Sequence, residues 1–339
     1  MIVPSIHPIP MASPRRTSLL QRATCSILCL GALLPLGVSA QPVVRQQFRA
    51  HQLTGESIAE VVCSDSSSRF ATVTSDGSAK VWSANGTLLH RYVPERVVML
   101  FNGRFLGPDD KGFVVAAYNG YASLWSSPTA APRTVGPSLS GTTDVQPIPD
   151  RQRLVTSSDD GFIRVWSADG RLITRIAQLG VTRHLAYSPS LQLVAATQDI
   201  GTVTLLSPDG VVQGRIETGQ GRLNDVVFAP NQPLLLAGGF DGTLKLWRLA
   251  DGGRTATLLH TIPAPEDAGW LEGVAINDAG MIATVYDDGV LRLWTQQGTA
   301  VAHLPLANHL HLFSVCFAPD QRTLRTIAQD GTVSVVVLP

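Results

Sequence analysis

Paired carboxylates are common equipment for proton transfer, and the chain offers three pairs: Asp109–Asp110, Asp159–Asp160 and Asp287–Asp288. Acid–base work needs such groups to converge on one reacting atom. Each pair instead contains or adjoins a tight-turn position, where an aspartate side chain caps local backbone amides. Turn chemistry is therefore the preferred reading. His309 and His311 alternate, which on a strand turns both rings the same way, as two metal ligands require. Spacing supplies no third ligand, so no metal is expected. Serines abound, but no G-x-S-x-G elbow, P-loop or dinucleotide glycine fingerprint occurs. No catalytic residue and no cofactor is expected. Trp270, preceded by Gly269, reads either as an exposed binding anchor or as core packing at a strand start.

Any site must be positioned by a repeat. The stretch SDGSAKVW (residues 75–82) recurs as YNGYASLW, DDGFIRVW, DIGTVTLL, FDGTLKLW, DDGVLRLW and QDGTVSVV. The turn glycines fall at 77, 120, 161, 201, 242, 289 and 331, a mean spacing of about 42 residues, and five of the six tryptophans share one column. Within each repeat, strictly alternating segments meet at Asp-Gly, Asn-Gly or Pro/Asp turns. That pattern predicts half-buried antiparallel strands, four to a repeat, and almost no helix. The segments taken as innermost strands (VVCS, FLG, VQPI, LAYS, VVFA, VAIN, VCFA) are mainly apolar or small, which counts against a catalytic centre.

Bulk properties narrow the function. Lys plus Arg and Asp plus Glu both number 26, so there is no net charge to gather nucleic acid or an anionic membrane. Charged residues are only 15%, against 44% hydrophobic, with 30 glycines and 22 prolines, which suits many short strands and tight turns. Residues 1–40 read as a secretory signal peptide: Arg15, Arg16 and Arg22, then an apolar run over 25–38, then Val38-Ser39-Ala40 as the small-residue cleavage site. The run is too short to span a bilayer comfortably. Cleavage would remove Cys25 and Cys29, leave residues 41–339 as the mature domain with no membrane span, and make it a periplasmic or secreted protein.

The glycine and tryptophan columns resemble the WD-repeat family of β-propellers across essentially all of residues 41–339. The resemblance implies an all-β ring of seven four-stranded blades. It also implies a buried network of histidine, Ser/Thr, turn Asp and Trp, which the first repeat carries as His51, Thr72, Asp76 and Trp82. The last repeat keeps His309, Thr326 and Asp330; the third keeps Thr156, Asp160 and Trp166; the sixth keeps Thr284, Asp288 and Trp294. The last repeat runs out before its outermost strand, and residues 43–48 are a spare one, so the N-terminal strand is expected to complete the last blade. Closure would set Cys63 beside Cys316 on first and last inner strands of opposite parity. Buried free thiols are the preferred state there, with a disulfide as the alternative that export permits.

The residue before each turn Asp lies, by that resemblance, on a face often used for partners. Here the column is Ser75, Tyr118, Asp159, Asp199, Phe240, Asp287 and Gln329, a rim of aromatic and acidic groups suited to a protein or peptide with basic groups. The expected function is a monomeric, non-enzymatic, exported protein-interaction scaffold. The alternative is a small-ligand or enzymatic propeller of the sugar, lactone or quinone type using the central channel.

Overall fold

Each column glycine takes a positive φ, from 71° to 84°. This left-handed backbone costs glycine nothing, and it closes a tight hairpin between the second and third strands of one sheet. A computed structural model describes residues 41–51, 59–94, 98–107, 109–307 and 310–339. The signal-peptide reading of residues 1–40 and the role expected of His309 lie outside the described residues.

Seven antiparallel sheets of four strands follow one another as blades. Their innermost strands are Ala59–Cys63, Leu100–Leu106, Thr142–Ile148, Thr182–Ser188, Leu223–Phe228, Leu271–Ile276 and Leu312–Phe317, for blades 1 to 7 in order. Six blades are plain meanders running outwards along the chain. Blade 7 differs: Val43–Arg49 pairs with Thr332–Val337 as its outermost strand, in a register from Val43 opposite Val337 to Arg49 opposite Thr332. The ring is thus latched by both ends of the domain, as expected. Arg49 pairs with Asp330 at 2.6 Å, Gln47 Nε2 donates to Ser334 Oγ at 2.7 Å, and Phe48 packs 5.2 Å from the Trp82 ring. Among the described residues the helical structure is two single 3₁₀ turns, Pro149–Arg151 and Asp251–Gly253, and no helix is long and apolar enough to cross a membrane.

The core is divided. Seven apolar clusters each join one pair of neighbouring blades, for example Val73, Val81 and Tyr92 of blade 1 with Leu100 and Phe113 of blade 2. Apolar area is therefore buried between sheets rather than at the centre, which leaves the innermost strands free to line a channel.

Cys63 and Cys316 form a disulfide, with Cα atoms 5.7 Å apart. This corrects the expectation of free thiols. Closure brings inner strands of blades 1 and 7 side by side, and opposite strand parity turns the two Cβ atoms towards one another.

Candidate functional site at the channel mouth

The inner strands of blades 2 to 7 share a defect in their ladders. Each inserts one extra residue near its start: the register slips between Leu100 and Gly103, Thr142 and Asp144, Thr182 and Leu185, Leu223 and Asp225, Leu271 and Gly273, and Leu312 and Ser314. Such a bulge breaks strict alternation, so consecutive side chains face the same way. The result is a cavity of about 660 Å³ at the channel mouth, lined by Phe101 and Asn102, Thr143, Arg183 and His184, Asn224 and Asp225, Glu272, and Phe313 and Ser314.

Within and around this mouth, polar groups zip the blades together in pairs. The carboxylates of Glu60, Asp144 and Asp225, on blades 1, 3 and 5, accept the backbone N–H of Gly103, Leu185 and Val274 on blades 2, 4 and 6, at 2.8, 2.6 and 2.8 Å. Arg104 adds an ion pair to Glu60 at 2.6 Å and lies 3.8 Å from Asp144. Burial opposes the Arg104 charge, yet Glu60 and Asp144 outweigh it and hold the guanidinium above its ordinary range. Two donors on separate Glu60 oxygens fit an ionised carboxylate, although burial pulls that group upwards.

His184 lies in the same chain, its Nδ1 2.8 Å from Asp225 and its Nε2 2.9 Å from Arg104 Nη2. Burial disfavours its charged form, but Asp225 and Asp144 together push it up to about 9. The Arg104 contact holds only while Nε2 keeps its lone pair. That contact therefore belongs to the neutral ring with its proton on Nδ1, whereas the cationic ring that Asp225 and Asp144 favour at neutral pH must turn Nε2 away from Arg104. These groups are committed to one another. They form an architectural belt rather than a set of free acids and bases.

Glu272 is different. Its side chain is 16% exposed; Oε2 accepts from Asn224 Nδ2 at 3.3 Å, and Oε1 lies 3.9 Å from His311 Nδ1. Among the described residues no lysine or arginine reaches it within ion-pair distance. Burial and the nearby Asp287 charge raise its carboxyl to about 7, with Arg222 a weak opposing influence. Beside it, Trp270 stacks on Phe240, with ring centroids 4.5 Å apart and planes within 4° of parallel, and the Arg222 guanidinium lies 4.3 Å from the Phe240 centroid.

Of the expected rim column, Phe240 and Gln329 line the cavity. Asp287 faces Gly269 and adds charge near Glu272; Asp159 lies 3.9 Å from Arg183, and Asp199 accepts the Val181 N–H at 2.9 Å. Tyr118 is 60% exposed, 6.0 Å from the Phe101 ring, and Ser75 stands at the matching turn of blade 1. Trp270 is 44% exposed, so it is not the core packing that was its alternative reading. His311 faces Glu272, and among the described residues no cluster of three His, Cys, Asp or Glu side chains is placed to hold a metal.

The blade-1 network brings its four residues together: His51 Nε2 is 2.7 Å from Thr72 Oγ1, Trp82 Nε1 donates to the same oxygen at 2.9 Å, and His51 Nδ1 lies 3.6 Å from Asp76. Burial works against the Asp76 charge, but hydrogen bonds from His51, Thr74 and Ser78 hold it well below the usual carboxylate range. In blades 3 and 6 an arginine takes the histidine's part, Arg164 on Asp160 and Arg292 on Asp288, while Trp166 and Trp294 still donate to Thr156 and Thr284.

The belt residues Glu60, Arg104, Asp144, His184 and Asp225 went unread in the sequence. Each stands directly before one of the apolar segments taken as an inner strand, so the signal was a column one place upstream.

Seven four-stranded blades, tryptophan-to-threonine bonds within blades and a latch from the N-terminal strand define a β-propeller built of WD repeats. A model of the "WD domain, G-beta repeat" family matches residues 43–83, 134–167 and 211–248. An "Uncharacterized WD repeat-containing protein" of Synechocystis sp. is 38% identical over 295 residues, 87% of this chain and 86% of that protein. A second WD repeat-containing protein of the same organism is 33% identical over 161 residues, 48% of either chain. Telomerase protein component 1 of Mus musculus is 28% identical over 180 residues, 51% of this chain and 6% of that one. The chain belongs to the WD-repeat family.

Proposed function

We propose that this protein is a non-enzymatic, exported scaffold that presents the loop face around its channel mouth to a protein or peptide partner. The observation that carries the reading is where large apolar side chains are left in water. Leu139 (88% exposed), Leu179 (70%), Tyr118 and Trp270 all sit on connections that enter an inner strand or on second-to-third-strand turns. In an antiparallel meander those connections lie at one end of the blades, the end where the mouth opens. Other exposed apolar side chains, such as Leu88, Leu172 and Val301, are spread along the outermost strands, but the two most exposed, Leu139 and Leu179, stand at the mouth end, and apolar groups so placed mark an interaction surface. Belt carboxylates already saturated by backbone amides, Arg104 and His184 support an architectural role over turnover. The disulfide supports export, since such bonds persist in oxidising compartments; the leader at residues 1–40 and action as a monomer belong to the same reading.

The test is crosslinking of the exported form in its native fraction, comparing the parent with a Leu139→Ser, Leu179→Ser, Tyr118→Ser triple variant. Loss of one defined crosslinked partner in the variant, with unchanged melting, is the expected result. Identical capture by both proteins would sink the reading. The cavity itself favours a second reading, a small ligand held in the channel; in that case a small molecule raises the melting temperature of the parent while no protein crosslinks.

A further inference from the structure

We propose that the channel mouth is a socket for one basic side chain of the partner, its cationic head against Glu272 and its stem along Trp270. This rests on the scaffold reading and specifies the chemistry of what is bound. The belt carboxylates Glu60, Asp144 and Asp225 each meet a backbone N–H and a resident arginine or histidine. Glu272 has the amide of Asn224 and, 3.9 Å away, the His311 ring, but no lysine or arginine within ion-pair distance among the described residues. A largely buried carboxylate without a fixed cation is costly, and an incoming ammonium or guanidinium removes that cost.

Its surroundings select charge and shape together. Asp287 stands behind Glu272 and adds negative potential. The resident Arg222 is occupied on the Phe240 ring, and Arg183 faces Asp159. Trp270 rests on Phe240 and leaves a large part of its own surface in water, a platform for an alkyl stem or a cation over an indole. The cavity, about 660 Å³, falls in the range that encloses a ligand of one or a few residues.

The experiment follows tryptophan fluorescence of the full exported form, in which Trp270 is the indole most open to solvent among the described tryptophans. The probes are N-acetylarginine amide, its neutral isostere N-acetylcitrulline amide, and a Gly/Ser hexapeptide carrying one arginine. The arginine compounds should saturate, with citrulline about tenfold weaker or worse. Glu272→Gln should lose about the same factor while melting no lower than the parent, and Trp270→Leu, followed by calorimetry, should weaken both arginine compounds. Tighter binding of the hexapeptide than of the amide supports a peptide source; equal binding supports the same cationic site serving a free amine. Equal affinity for arginine and citrulline, or no binding of arginine at millimolar concentration, overturns the proposal. That failure is separable from failure of the scaffold reading: a partner still crosslinked equally by the parent and Glu272→Gln, but lost in the triple rim variant, removes the socket and leaves the scaffold.

Discussion

At the scale of single residues, the telling contrast is between two kinds of buried acid. Asp144 and Asp225 share the interior with donors; Glu272 shares it with Asn224 and a distant imidazole, and its carboxyl rises to about 7 from an ordinary value of 4.5. The sign follows from linkage. A raised acid binds its proton more tightly folded than unfolded, so ionisation penalises folding. The penalty is absent below about pH 4.5, grows between 4.5 and 7, and is complete above, with a ceiling of about 3 kcal/mol. Glu272→Gln should therefore be more stable than the parent at pH 8 and equal to it at pH 4, measured by urea unfolding at both. Equal stability at both values would mean that the carboxylate already has a cation. In the sequence Glu272 was one polar residue before an apolar run; neither its neighbours nor its missing cation is a local property. Phe240 and Gln329 were legible, because the turn that places them repeats.

At the scale of elements, two strand features carry the consequences. One is the borrowed strand Val43–Arg49, whose pairing with Thr332–Val337 removes an open edge from blade 7. Deleting residues 41–49 strips that edge, the Arg49–Asp330 pair and the Phe48 packing at once. Such a variant should lose the cooperative unfolding transition of the parent by circular dichroism, and an unchanged transition would refute the latch. The other is the bulge at the start of six inner strands. Alternation predicts one residue in, one residue out, and Asn224 with Asp225, or Arg183 with His184, breaks that rule. A one-residue slip inverts the faces of everything before it, so the parity of the mouth residues was hidden from a reading based on period.

At the scale of the whole molecule, the ring is closed twice, once by the shared blade and once by the Cys63–Cys316 bond across 253 residues of sequence. A crosslink over so long a loop restricts the unfolded chain strongly, and in the chain-entropy description its loss costs on the order of 5 kcal/mol. Reduction should lower the melting temperature of a chain of residues 41–339 without dissolving the blades, and thiol titration in denaturant without reductant should find neither Cys63 nor Cys316 free. A full count of free thiols would remove the second clasp and, with it, one support for export.

The glycine, turn and tryptophan columns were enough to count seven blades and to supply the missing strand, since both follow from a period and from what the last repeat lacks. They are local, repeated signals that each blade must satisfy for itself. The bond between Cys63 and Cys316, the belt from Glu60 to Asp225 and the socket at Glu272 were decided by tertiary structure. Each joins different blades, and only closing the ring sets those side chains within reach of one another.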